Sequence, residues 1–105
     1  MQIQTNTDHN ISGHEALAQN VEEILERLLG RFSEQITRVE VHLSDENGSS
    51  KSGAADKRCL LEVRPAGQQP VSVSEQAHTV NAAVTGAAHK MISLLESELG
   101  KLRRH

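Results

Sequence analysis

The sequence predicts an α+β fold of order β-α-β-β-β-α, with a four-stranded mixed sheet and both helices on one of its faces. Two observations carry this. Four segments alternate apolar and polar residues with the period of a half-buried strand: 1–7, 36–44, 57–64 and 70–76. Two longer segments, 13–32 and 79–104, repeat apolar residues in steps of three and four, the stripe of an amphipathic helix. A helix between the first two strands implies a parallel pair with a right-handed crossover, whereas the short joins after the second and third strands imply antiparallel hairpins. Each strand has a single apolar face, so both helices belong on the same side.

The first strand sets Met1, Ile3 and Thr5 against Gln2, Gln4 and Asn6. Asp8-His9-Asn10 is polar and loop-like, and Ser12 with Glu15 has the spacing of a capping box, so a helix should start near Gly13. Its stripe is Leu17, Val21, Ile24, Leu25, Leu28 and Phe32, with Gly30 and Ser33 at a fraying end. The second strand is the clearest in the chain, with Val39, Val41 and Leu43 inward and Arg38, Glu40 and His42 outward. Residues 45–56 are polar and small, which predicts a mobile hairpin connection.

The third strand turns Cys59, Leu61 and Val63 inward and Arg58, Glu62 and Arg64 outward, with Leu60 interrupting the polar face. Pro65-Ala66-Gly67 turns the chain into a fourth strand that places Val71 and Val73 inward. Thr79 is a suitable N-cap for the second helix, whose stripe runs through Val80, Ala83, Val84, Ala87, Met91, Leu94, Leu95, Leu99 and Leu102. At ~1.5 Å per residue this helix spans ~37 Å and needs a surface of matching length to cover it.

Composition narrows the function. The 105 residues read as one domain, 1–105, with 36% hydrophobic and 24% charged content and Phe32 as the only aromatic residue. The core must therefore be aliphatic. One cysteine excludes an internal disulfide, no apolar run reaches ~20 residues, and the first residues lack a signal peptide's pattern, so a cytoplasmic protein is expected. The net charge of -3 counts against strong nucleic-acid binding, but charge is unevenly spread. Residues 13–32 carry Glu15, Glu22, Glu23 and Glu26 against Arg27 and Arg31, while 79–105 carry Lys90, Lys101, Arg103 and Arg104 against Glu96 and Glu98.

No catalytic constellation is present. The histidines 9, 14, 42, 78, 89 and 105 include no pair at zinc-ligand spacing, so no metal or other cofactor is expected. Cys59 falls on an apolar face and reads as a small core residue. Residues 45–56 lack the glycine-lysine signature of a phosphate loop and the spacing of a calcium loop.

Met1-Gln2-Ile3, Glu15-Ala16-Leu17, Ile36-Thr37-Arg38-Val39-Glu40-Val41, and Ala82-Ala83-Val84 followed by Lys90 form an ordered set over nearly the whole chain. In this the sequence resembles the ribosome-hibernation family of short hibernation promoting factors and ribosome-associated translation inhibitors, formerly described as sigma-54 modulation proteins. The resemblance implies a domain shaped like a double-stranded-RNA-binding domain. It also implies a non-enzymatic protein that binds the small ribosomal subunit in the mRNA and tRNA channel. The implied rRNA-phosphate contacts are Arg27, Arg31, Lys90, Lys101, Arg103 and Arg104, with Arg27, Arg31 and Lys90 expected to line one groove between the helices. Glu22, Glu23 and Glu26 stand where members are commonly neutral or basic, which supports an alternative: a protein-interaction module on the same fold, with strong RNA binding lost.

Overall fold

The computed structural model describes residues 1–8, 14–45 and 56–103, without the side chains of 14 and 99–103. In chain order these form strand β1 (Gln2–Thr7), helix α1 (His14–Leu29) ending in a 3-10 turn (Gly30–Phe32), and strand β2 (Ile36–Asp45). Strands β3 (Lys57–Pro65) and β4 (Val71–Ala77) and helix α2 (Val80–Arg103) follow. The capping box at Ser12 and residues 46–55 of the expected loop lie outside the described residues.

The four strands lie in the sheet in sequence order, β1-β2-β3-β4. β1 is parallel to β2, with Ile3 opposite Val39, and the other two pairs are antiparallel. α1 packs on β1 and against α2, and α2 lies across β3 and β4. Alternation within the strands does the sorting: Val39, Val41, Leu43, Cys59, Leu61 and Val63 are buried beneath the helices, while Arg38, His42 and Arg64 on the other face are exposed.

The core is aliphatic, built around Val21, Leu25, Leu29, Leu61, Met91 and Leu95. Three details differ from the sequence reading. Leu29, not Leu28, is the fully buried leucine at the end of α1, because Val21, Leu25 and Leu29 follow one another at one-turn spacing directly beneath the helix. Leu17, Leu28, Ile3, Val71 and Val73 pack at the core's margin, half-buried. Ile36 and Ala88 join the core as well.

Local chemistry fixes the element ends. Thr79 caps α2: its hydroxyl accepts from Ala82 N–H at 3.1 Å and its carbonyl from Ala83 N–H at 3.0 Å. The turn after β3 closes through Gln68 N–H to the Pro65 carbonyl at 3.2 Å, with Gly67 at φ 72°, a conformation that favours glycine. Where β2 ends and β3 begins, the buried carboxylates of Asp45 and Asp56 hold the Lys57 ammonium at 3.3 and 3.0 Å. The hydrogen bond between Lys57 and Asp56 lowers the Asp56 pKa and raises that of Lys57. Burial pushes the Cys59 thiol up to about 12, leaving it an inert core residue.

Candidate nucleic-acid interface

Two side-chain bridges mark the seam where α1 meets α2. Asn20 Nδ2 donates to Asn81 Oδ1 at 2.7 Å, and Arg31 donates to Glu96 at 2.7 Å. Both helices therefore run in the same direction, with their carboxyl ends at one end of the molecule. Arg27 lies seven residues after Asn20, close to two turns at ~3.6 residues per turn, and so on the same flank of α1. It is exposed. Arg31 follows in the 3-10 turn with its guanidinium 4.8 Å from the centre of the Phe32 ring. Arg27 and Arg31 thus lie toward the same flank of the helical layer.

Lys90 does not join them. Its ammonium donates to the Ser74 carbonyl at 2.9 Å and pairs with Glu75 at 3.1 Å, both on β4. At ~100° per residue, Lys90 stands about 180° around α2 from Asn81, on the flank that faces away from α1. The expected single groove of Arg27, Arg31 and Lys90 is therefore divided by the width of the helix. Lys101 and Arg103 lie in the last turn of α2, where only the backbone is described, and Arg104 lies outside the described residues.

Two carboxylates that the sequence reading left without a role set the local field. Glu96 neutralises Arg31, and both side chains are 57% exposed. Glu75 neutralises Lys90 and lies over Gly86, where a Cβ would stand 2.5 Å from its Oε2. Neither partner is visible to a helix-spacing argument, because Glu75 belongs to β4 and Arg31 and Glu96 belong to different elements. Of the α1 glutamates, Glu22 and Glu26 fall on the flank away from the seam, and Glu23 lies beside Arg27.

The open face of the sheet carries a second set of cations. Register puts Arg38 opposite Arg64 and Glu40 opposite Glu62, so like charges are cross-strand neighbours. The conflict is relieved along the strand, where Arg38 pairs with Glu40 at 2.9 Å, and by Gln4, which accepts a hydrogen bond from Arg38. This face holds no aromatic side chain on which a base would stack. Among the described residues, no group of three or more histidines, cysteines or carboxylates is placed to hold a metal ion.

Two helices on a four-stranded mixed sheet are the arrangement that the comparisons with known proteins meet. The model of the family described as "Sigma 54 modulation protein / S30EA ribosomal protein" matches residues 4–103. The chain belongs to this family, whose members are ribosome-associated proteins of translation regulation. Its fold is similar to the crystal structure of the Thermus thermophilus Protein Y N-terminal domain, with TM-score 0.70 and 23% identity over 92% of this chain and 98% of that one. A ribosomal subunit interface protein from Coxiella burnetii is similar over 100% of both chains, with TM-score 0.64 and 18% identity. No match was found among curated protein sequences. Among the described residues, no helix of this family member is long and apolar enough to cross a membrane.

Proposed function

We propose that the chain is a hibernation or translation-inhibition factor of the cytoplasm that binds the small ribosomal subunit in the channel used by mRNA and tRNA. It acts by occupancy, without catalysis, a cofactor or base readout. The observation that carries this reading is the family match over 4–103 together with Arg27 and Arg31 toward one exposed flank of the helical layer. A helical face of this kind meets RNA by shape and by pairing with phosphates. Lys101, Arg103 and Arg104 add positive charge at the end of the sequence, and Lys90 contributes from the opposite flank of α2.

Co-sedimentation with purified small subunits at two salt concentrations tests it. Binding should weaken as salt rises, and Arg27→Ala with Arg31→Ala should weaken it further. Removal of one cation that pairs with a phosphate should reduce the slope of log affinity against log salt by ~0.7 to 0.9. Lys90→Ala added to that pair should have the smaller effect, because its ammonium is already engaged on β4. Salt-independent binding that survives the triple change would reject the phosphate mechanism.

A second reading draws on the pairing of Arg31 and Lys90 with Glu96 and Glu75, which reduces the charge available to phosphate. On that reading the chain is a protein-interaction module whose acidic α1 meets a basic partner. It predicts no association with the subunit at either salt concentration.

A further inference from the structure

The two edges of the sheet are finished differently. On β4 the Lys90 ammonium takes the Ser74 carbonyl and pairs with Glu75, so charged side chains stand against that strand. β1, the other edge, reads Gln-Ile-Gln-Thr-Asn-Thr, with no charge, proline or glycine to deter a further strand. Asp8 N–H donates to the Leu43 carbonyl at 3.1 Å, so the main chain of Asp8 turns toward β2. By alternation, Gln2, Gln4 and Asn6 serve the ladder to β2, and Ile3, Thr5 and Thr7 turn their N–H and C=O groups outward. Among the described residues, no main-chain group lies across from them.

The helix above this edge turns an acidic flank to it. α1 packs on β1 and meets α2 along one flank, through Asn20 and near Arg31, while α2 lies across β3 and β4. The other flank of α1 therefore lies on the side of the open β1 edge. At ~100° per residue from the buried Val21, Glu22, Glu15 and Glu26 fall ~100° to ~140° around toward that flank, in the opposite sense to Asn20 and Arg27. Glu15 and Glu26 are exposed and Glu22 is half-buried. Among the described residues none of the three makes an ion pair, whereas Glu40, Glu75 and Glu96 each have an arginine or lysine partner. β1 brings no cation, and the one arginine of α1 is on the α2 flank. Outward backbone groups and carboxylates without a counter-charge thus meet along one edge.

We propose that the β1 edge is a docking site for an extended polypeptide segment with lysine or arginine at alternate positions, added to the sheet as a further strand. The two observations make separate demands on the occupant. The outward groups of Ile3, Thr5 and Thr7 require an extended main chain. The carboxylates of α1 require positive charge on its helix-facing side. The spacings agree: Glu22 and Glu26 are about one turn apart, ~6 Å along α1, and every second side chain of a strand recurs at ~6.6 Å. Side chains on the other side of the segment neighbour Gln4 and Asn6 and need no charge. A second copy of the chain does not fit, because a two-fold contact would set the Glu22 and Glu26 flank against itself while β1 supplies no cation. The same carboxylates repel a nucleic acid. This docking site deepens the module reading and rests on its acidic α1 alone. It does not require RNA binding to be lost, since Arg27 and Arg31 lie toward the flank that faces α2.

The probe is a fluorescein-labelled peptide of about nine residues alternating lysine and threonine, long enough to span β1, titrated into the full chain by anisotropy at low salt. It should bind with Kd between ~10 μM and ~1 mM and slow the hydrogen exchange of the Ile3, Thr5 and Thr7 amides. Glu22→Gln with Glu26→Gln leaves the core untouched, should keep the native circular dichroism, and should weaken binding about 3- to 10-fold, less so at high salt. The same peptide N-methylated throughout keeps its charge but cannot pair as a strand, and should bind at least about tenfold more weakly. A peptide alternating glutamate and threonine should not bind. Arg27→Ala with Arg31→Ala should leave peptide binding unchanged. No binding of the lysine peptide overturns the proposal. So does binding that the two glutamine changes leave intact, or that the N-methylated peptide matches. Association with the small subunit would contradict the module reading but not this site, and failure of the peptide would contradict this site but not that reading.

Discussion

Helix α2 makes an ion pair on each flank, and the two differ in what stands behind them. On the α1 side, Arg31 and Glu96 meet in solvent, with the Phe32 ring under the guanidinium. On the β4 side, Glu75 lies against Gly86, one turn before Lys90, and the ammonium is also held by a strand carbonyl. The first pair couples two helices through flexible, screened side chains. The second clasps a helix to a strand edge, and the missing Cβ of Gly86 makes room for it. Similar donor-acceptor distances thus describe one pair that a competing anion can open and another that belongs to the packing.

Breaking the support of the α1 flank should have the largest effect. Phe32 is 8% exposed and closes the core beneath the 3-10 turn. Phe32→Ala should cost about 3 kcal/mol in chemical denaturation, through reduced burial and the cavity left behind. A cost well below that would place the ring at a margin able to collapse. On the β4 flank, Gly86→Val should cost about 1 to 2 kcal/mol, because the branched side chain drives Glu75 off the helix. Gly86→Ala should be nearly neutral: alanine gains up to ~1 kcal/mol of helix propensity, and the displaced clasp gives back a similar amount.

The smallest effect sharpens the contrast. A double-mutant cycle of Arg31→Ala and Glu96→Ala should return a coupling below ~1 kcal/mol in low salt that falls away near ~1 M salt. The same cycle on Lys90 and Glu75 should retain more of its coupling in salt, because Glu75 is partly buried against Gly86. Equal salt sensitivity in the two cycles would remove the distinction between the flanks.

Much of the fold was legible because its elements obey simple periods. The alternation of Val39, Val41 and Leu43 named the inner face of β2, and the same rule placed Cys59, Leu61 and Val63 opposite them. The choice between Leu28 and Leu29 was not legible, since adjacent leucines both fit a broad stripe and only the docking angle of α1 decides between them. The site was legible by face but not by flank. Periodicity showed that Arg27, Arg31 and Lys90 avoid the core, yet it says nothing about which neighbour stands on either side of a helix. That depends on strand order, and strand order put β4 beside Lys90 and α1 beside Glu96. The carboxylate partners were hidden for the same reason: Glu96 is 65 residues from Arg31.

Phe32 is the only aromatic residue, and the chain has no tryptophan or tyrosine, which has an optical consequence. The protein is nearly transparent at the wavelengths where tryptophan and tyrosine absorb and emit, so its own folding is silent by intrinsic fluorescence. A tryptophan in place of Phe32 would be the sole emitter of the chain. It would sit directly under the Arg31 guanidinium, where cations stack and quench. Its brightness would then report, without any added dye, whether that guanidinium rests on the ring beside Glu96 or has swung away to meet a phosphate.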